Sequence, residues 1–223
     1  MVELRTGRYG QYYGSPWGYS EYLNESQKKT NATYIYSYFT AAGWTPNAIA
    51  GILGNLENES AINPGRWEGN NVGVGPGYGL VQWTPYTNYT VWCEQQGRKD
   101  PSEMDNNLDR IIWELENGLQ YYATDDYPLN FREFTKSTKD PYYLACAFAW
   151  NYERSAVVLW GTEAEQEALR KLRGGSAEKW YTYITGETPT PPTEPDEPSR
   201  PVYKGSGKKM SFLLLALAGK RRR

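Results

Sequence analysis

Four positions along the chain place a side-chain oxygen directly before a proline: Thr45-Pro46, Thr84-Pro85, Asp100-Pro101 and Asp140-Pro141. A Thr or Asp side chain accepts the free amide hydrogens of a first helical turn, and proline, lacking that hydrogen, suits the first helical position. Each pair therefore marks a helix start. Thr162 with Glu165 makes a capping box and marks another. With the apolar spacing, these signals predict helices at about 31–42, 46–60, 85–96, 101–117, 141–152 and 163–184. Gly43 is expected to stop the first helix, and the Gly174-Gly175 pair to kink or split the last. Between them, 61–83 carries Asn63-Pro64-Gly65 and several glycines from Gly69 to Gly79, a composition for turns and a small β-hairpin. The fold class expected is α+β, predominantly α-helical, with one small β insertion.

The ends differ from this middle. Residues 1–20 are rich in Tyr and Gly, show no periodicity and read as an extended N-terminal arm. They also lack the apolar stretch of a secretory signal. The compact domain is placed at 21–186. Residues 187–209 are proline-rich and read as a stiff linker. The chain ends on a short apolar and basic tail, 210–223. Its run MSFLLLALA is far shorter than the about 20 residues a membrane span needs. The tail is read as a docking peptide for a partner, with shallow contact to an anionic membrane as the competing reading.

The chain contains no histidine. That removes Ser/His and Cys/His nucleophile pairs and every metal site that needs imidazole. Cys93 and Cys146 cannot build a thiolate-rich zinc site; their apolar helical surroundings predict buried free thiols, with a single disulfide between them as the alternative. Neither metal nor cofactor is expected, and a net charge of -2 gives no reason to expect a nucleic-acid partner. The chemistry left is that of carboxylates, Tyr, Lys, Ser/Thr and amides. The 20 Tyr and 9 Trp suit a core that opens into a sugar-binding surface, as well as ordinary packing.

In the helix TPNAIAGILGNLENES, Ile49, Ile52, Leu53 and Leu56 form one apolar stripe. Glu59 projects roughly 70° from the centre of that stripe, in the last turn. Partial desolvation and the helix dipole there both favour a protonated carboxyl, the state needed to protonate a leaving group in glycoside cleavage. Glu57 lies on the opposite flank. In GYGLVQW, residues 77–83, Gln82 offers a donor and an acceptor, Tyr78 and Trp83 offer ring faces, and Gly79 permits close approach.

Together, GILGNLENESAINPGRWEG and GYGLVQWTP resemble the phage tail lysozyme family. They are also similar to the pattern of lytic transglycosylases and goose-type lysozymes. The likeness covers about 31–95, and DPYYLACAFAWNYERS at 140–155 more loosely. It implies a lysozyme-like fold, with Glu59 of Glu59-Ser60 as catalytic acid and Ser60, Tyr78, Gly79, Gln82 and Trp83 on the sugar groove. Glu68 is a candidate second carboxylate, as base or nucleophile. Glu153 either pairs with Arg154 or faces the cleft. The activity implied is a muramidase cutting the MurNAc–GlcNAc strand of bacterial peptidoglycan, by hydrolysis or transglycosylation. Such an enzyme would be carried in a phage tail, joined to other tail proteins by its C-terminal tail. The alternatives are an endolysin acting at host lysis and an inactive glycan-binding or structural tail component.

Overall fold

The computed structural model describes residues 1–189, so the linker beyond Pro189 and the apolar tail at 210–223 lie outside the described residues. Two strands open the chain, β1 (Glu3–Gly7) and β2 (Gly10–Gly14). Eight α-helices follow among the described residues: α1 (Glu25–Ala41), α2 (Pro46–Ser60), α3 (Thr87–Gln95), α4 (Met104–Asn117), α5 (Phe131–Lys136), α6 (Pro141–Phe148), α7 (Ala156–Trp160) and α8 (Glu163–Thr185). The expected class, mostly helical with one small antiparallel hairpin, is what the chain forms.

The hairpin sits elsewhere than expected. β1 and β2 pair antiparallel from Glu3 opposite Gly14 to Gly7 opposite Gly10, within the stretch read as a featureless arm. No alternation announces these strands, because only Tyr12 and Gly14 among their residues are buried. The hairpin is nonetheless tied down firmly. Asn31 of α1, fully buried, accepts from the Tyr13 amide and donates to the Tyr13 and Ile62 carbonyls, each at 2.7 Å. Asn63 accepts from the Ser15 amide at 3.0 Å and donates to Ser15 Oγ at 2.9 Å. Buried amide side chains that satisfy backbone groups of separate segments hold those segments in one register. The stretch 61–83, expected to hold the hairpin, instead makes turns, a 3₁₀ turn at Glu68–Asn70 and two isolated bridges, Trp67 to Tyr78 and Tyr78 to Trp83.

Caps decide most helix ends. Thr45 and Asp140 cap α2 and α6 as read, accepting from Ala48 and Tyr142 amides. Thr162 and Glu165 form the expected capping box on α8. The other two proline pairs do not cap. Thr84 Oγ1 donates to the Gln82 carbonyl and α3 starts after Tyr86. Asp100 turns its carboxylate to Ser102 and Arg5, and α4 starts after Glu103. Two further capping boxes, Asn24/Gln27 and Asn130/Glu133, start α1 and α5.

Helix α2 is the central element, buried from Ala48 to Leu56 and packed against α8 and α6. A helix apolar on nearly every side must lie inside a domain. Around it, Trp83 stacks on Tyr89 with ring centroids 4.4 Å apart, and Phe39 stacks on Trp44 at 4.1 Å. Helix α8 runs unbroken through Gly174 and Gly175, against the expected kink. Cys93 and Cys146 are buried free thiols; burial pushes them up to about 11 and about 12, so neither is a nucleophile at neutral pH.

Candidate active site

A cleft of about 560 Å³ opens beside the last turn of α2. Glu59 lines it, together with Glu68, Gln82, Trp83 and Glu153. The helix stops just beyond Glu59 because Ala61 turns left-handed at φ 54°, so the carboxylate is delivered at a chain reversal. It is not alone there. Arg173 of α8, buried, donates from one terminal nitrogen to Glu59 Oε1 and from the other to the Asn55 carbonyl at 2.9 Å. Glu57, on the opposite flank, is spent on Lys28, Lys179 and the Trp180 indole.

Gln82 is placed with unusual backbone geometry for a non-glycine residue, φ 52°. Such conformations persist where surrounding structure imposes them, often at binding sites. Its Nε2 donates to the Gly79 carbonyl at 2.7 Å and the Arg66 carbonyl at 3.1 Å. Two carbonyls at one end of the amide fix its orientation. The Oε1 has no protein donor among the described residues, which leaves an acceptor for a sugar hydroxyl or amide. Tyr22, 68% exposed, lies over the Arg66 guanidinium at 3.7 Å, and both line the cleft. The pair makes a fixed flat surface.

Three of the sequence-predicted groove residues are not on the cleft. Ser60 is buried, with its hydroxyl donating to the Leu56 carbonyl, because the helix continues through it. Tyr78 is fully buried between Trp67, Trp17 and Tyr89. Gly79, at φ 86°, is a glycine because a Cβ there would come within 2.7 Å of Asn107 Oδ1 and 2.9 Å of the Trp83 ring. Its smallness serves the core, not a ligand. Trp83 is on the cleft but mostly buried, its indole N–H donating to Glu114 Oε1 at 2.9 Å. Glu68 is exposed in its 3₁₀ turn and shares the cleft with Glu59.

Sequence reasoning passed over Arg173 and Glu114. Glu114 is buried, bonded to Arg110 at 2.8 Å, to Trp83 and to the Tyr152 hydroxyl. Burial raises it, against the pull of those three donors. It thereby fixes Trp83 and Tyr152, two walls of the cleft. Both residues carried a signal: Glu114 follows Ile111 by one turn on the apolar face of α4, and Arg173 shares a face with Ala177 and Trp180.

Glu153 faces the cleft and does not pair with Arg154, whose guanidinium lies over Tyr122. It ends a single π turn, Ala149–Glu153, that continues α6. Its Oε1 is sealed from water and has no donor. Burial drives Glu153 well above the ordinary carboxyl range; the charges of Glu59 and Glu114 push the same way, and Arg173 opposes them. The folded chain therefore keeps a proton here that the unfolded chain loses above about pH 4.3. Stability from this group is full below that pH and falls as pH rises, by up to about 1.4 kcal/mol per pH unit. Glu153→Gln should therefore melt progressively above wild type as the pH is raised from about 5 to 7. Parallel melting curves across that range would show that the group is ionised in the fold.

A sequence profile of the phage tail lysozyme family matches residues 30–184, from α1 to the end of α8. The chain belongs to the phage tail lysozyme family. It is also 41% identical over 170 residues to "Morphogenesis protein 1" of Bacillus phage B103. That alignment covers 76% of this chain and 43% of the relative, so the chain spans less than half of that protein's length. The helical domain is lysozyme-like, and the β1–β2 hairpin lies outside the family match. Among the described residues, no helix is long and apolar enough to cross a membrane.

Proposed function

We propose that the chain is a muramidase of a phage tail that cuts the MurNAc–GlcNAc strand of bacterial peptidoglycan, with Glu59 as general acid. The observation that supports this best is that Glu59 and Gln82, from separate segments, line one cleft, where the Gln82 amide keeps its oxygen as a free acceptor. In this reading, a sugar packs on Tyr22 and Arg66, and Gln82 Oε1 accepts a hydrogen bond from it. The Glu59 carboxyl gives its proton to the glycosidic oxygen as the C–O bond breaks, which turns a poor alkoxide leaving group into an alcohol. Arg173 then balances the carboxylate left behind. Glu68, exposed on the same cleft, is the proposed base if water attacks the anomeric carbon. Attack by the muramyl 6-hydroxyl would give the transglycosylase outcome instead. Mass spectrometry of the muropeptides released from purified peptidoglycan tests the reading: a reducing MurNAc end marks hydrolysis and a 1,6-anhydro end transglycosylation. Intact glycan strands after digestion would overturn it.

Chelators are expected to leave digestion unchanged. The reading uses carboxylates alone, the chain has no His, and among the described residues no cluster of three or more potential ligands is present. Loss of activity in EDTA with recovery on adding zinc or magnesium would contradict this. Carriage in the virion is the proposed route to the wall, in keeping with the family and with a relative named as a morphogenesis protein. It predicts the chain in purified particles. The partners proposed are peptidoglycan and, through residues 210–223, another tail protein.

A further inference from the structure

The lining of the cleft holds three carboxyls, Glu59, Glu68 and Glu153, and one guanidinium, Arg66. Glu59 has its cation in Arg173 of α8. Arg66 is differently placed. Among the described residues no carboxylate lies within ion-pair distance of it, the exposed Glu68 two positions on included. Yet Arg66 is only 3% exposed. Its Nη1 donates to Ser20 Oγ at 3.0 Å, and the Tyr22 ring covers one face of the guanidinium at 3.7 Å. Ser20 Oγ also accepts from the Trp67 amide at 3.0 Å, and Asn63 donates to the Glu21 carbonyl at 2.8 Å. The segment over Arg66 is therefore fastened down. Nε and Nη2 remain. Neither has an acceptor among the described residues, and neither is sealed from water. These two nitrogens form one edge of the guanidinium, with parallel N–H groups that grip a carboxylate by two hydrogen bonds. A cation held this deeply without a partner is costly unless an anion meets it. The Arg66 carbonyl accepts from Gln82 Nε2 at 3.1 Å, so cation and amide belong to one wall.

We propose that Arg66 is a specificity residue of the cleft and binds a carboxylate carried by the substituent at O3 of the muramyl residue. This rests on the reading of the cleft as the place where the MurNAc–GlcNAc strand lies. The sugar rings of that strand offer only hydroxyl and N-acetyl groups, all neutral. Charge enters through the muramyl lactyl ether, whose carboxyl is either free or amide-linked to a stem peptide with carboxylates of its own. A planar carboxylate from either source fits the Nε–Nη2 edge. Tyr22 holds the guanidinium flat from one face, and Ser20 sets its rotation. Of the charged groups on the lining, Arg66 alone attracts an anion, so it fixes which part of the strand lies at that end. Ser20 and Tyr22 both precede residues 30–184, so the device is completed by a segment outside the family match.

Titration calorimetry on the full chain with three GlcNAc–MurNAc disaccharides tests this. None contains the bond proposed to be cut. One carries a stem peptide, one a free lactyl carboxylate, and one a lactyl carboxyl blocked as its methylamide. At least one of the two acids should bind about tenfold or more tighter than the neutral amide, as a charge-assisted pair requires. Which acid does so assigns the source of the carboxylate. Arg66→Gln should bind the acids no better than the amide, and the amide within about threefold of wild type. That second value also reports that the variant is folded. Arg66→Lys keeps the charge without the fork and should cut the preference about threefold or more, which decides the matter if Arg66→Gln does not fold. Equal affinities in wild type, a preference that survives in Arg66→Gln or is undiminished in Arg66→Lys, or an equal loss for all three ligands in folded Arg66→Gln would each overturn the proposal. The muramidase reading is judged apart from this. Wall strands left intact by wild type, with a preference that Arg66→Gln removes, would mean a carboxylate-binding cleft that does not cut.

Discussion

Replacing Glu59 by glutamine is expected to slow peptidoglycan digestion by roughly 10²–10⁴-fold, the usual worth of general acid catalysis. The fold should survive. Glutamine keeps the shape and an acceptor oxygen for Arg173, whose other terminal nitrogen stays on the Asn55 carbonyl. The melting temperature should therefore stay within about 5 °C of wild type, a change of one or two kcal/mol for a domain of this size. The check is a turbidity or zymogram assay on purified walls beside a thermal melt. Digestion within about threefold of wild type would falsify the assignment of the acid, whatever the melt shows.

Two adjacent glycines of α8 should respond to alanine in opposite ways. At Gly174, a Cβ would fall 2.1 Å from Tyr142 Cδ2 and 2.4 Å from Tyr142 Cγ. The base of the ring is in the way, so no rotation of its far end relieves the clash, and α6 must part from α8. Overpacking of this kind costs about 1–3 kcal/mol or more, a fall of roughly 2–10 °C in melting temperature. Activity should drop as well, because Arg173 precedes this glycine and Glu153 ends the turn that follows α6. At Gly175, a Cβ meets nothing and the site is exposed. Alanine there removes only the entropic cost of glycine in a helix, a gain of about 1 kcal/mol and roughly 2–4 °C. Equal shifts at the two positions would show that the α6–α8 contact is looser than these distances require.

What could be read from the residues alone follows from local physics. Capping oxygens and prolines act within one turn, so Thr45-Pro46, Asp140-Pro141 and Thr162/Glu165 mark true helix starts. The stripe of α2 depends only on helical period, so the residues alone place Glu59 at its edge. Where a local group had a better distant partner, the reading slipped: Asp100 binds Arg5 and Ser102, and α4 begins later. The hairpin of residues 3–14 was illegible because its burial is supplied by α1 and by Asn63, from other parts of the chain. The aromatic motif Gly-Tyr-Gly showed rings but not their direction, and packing turned Tyr78 inward. The ion-pair partner of Glu59, Arg173, lies at the other end of the domain in sequence. It reaches Glu59 only because α8 packs on α2, and a charge finds its counter-charge by distance in space, which no spacing along the chain encodes.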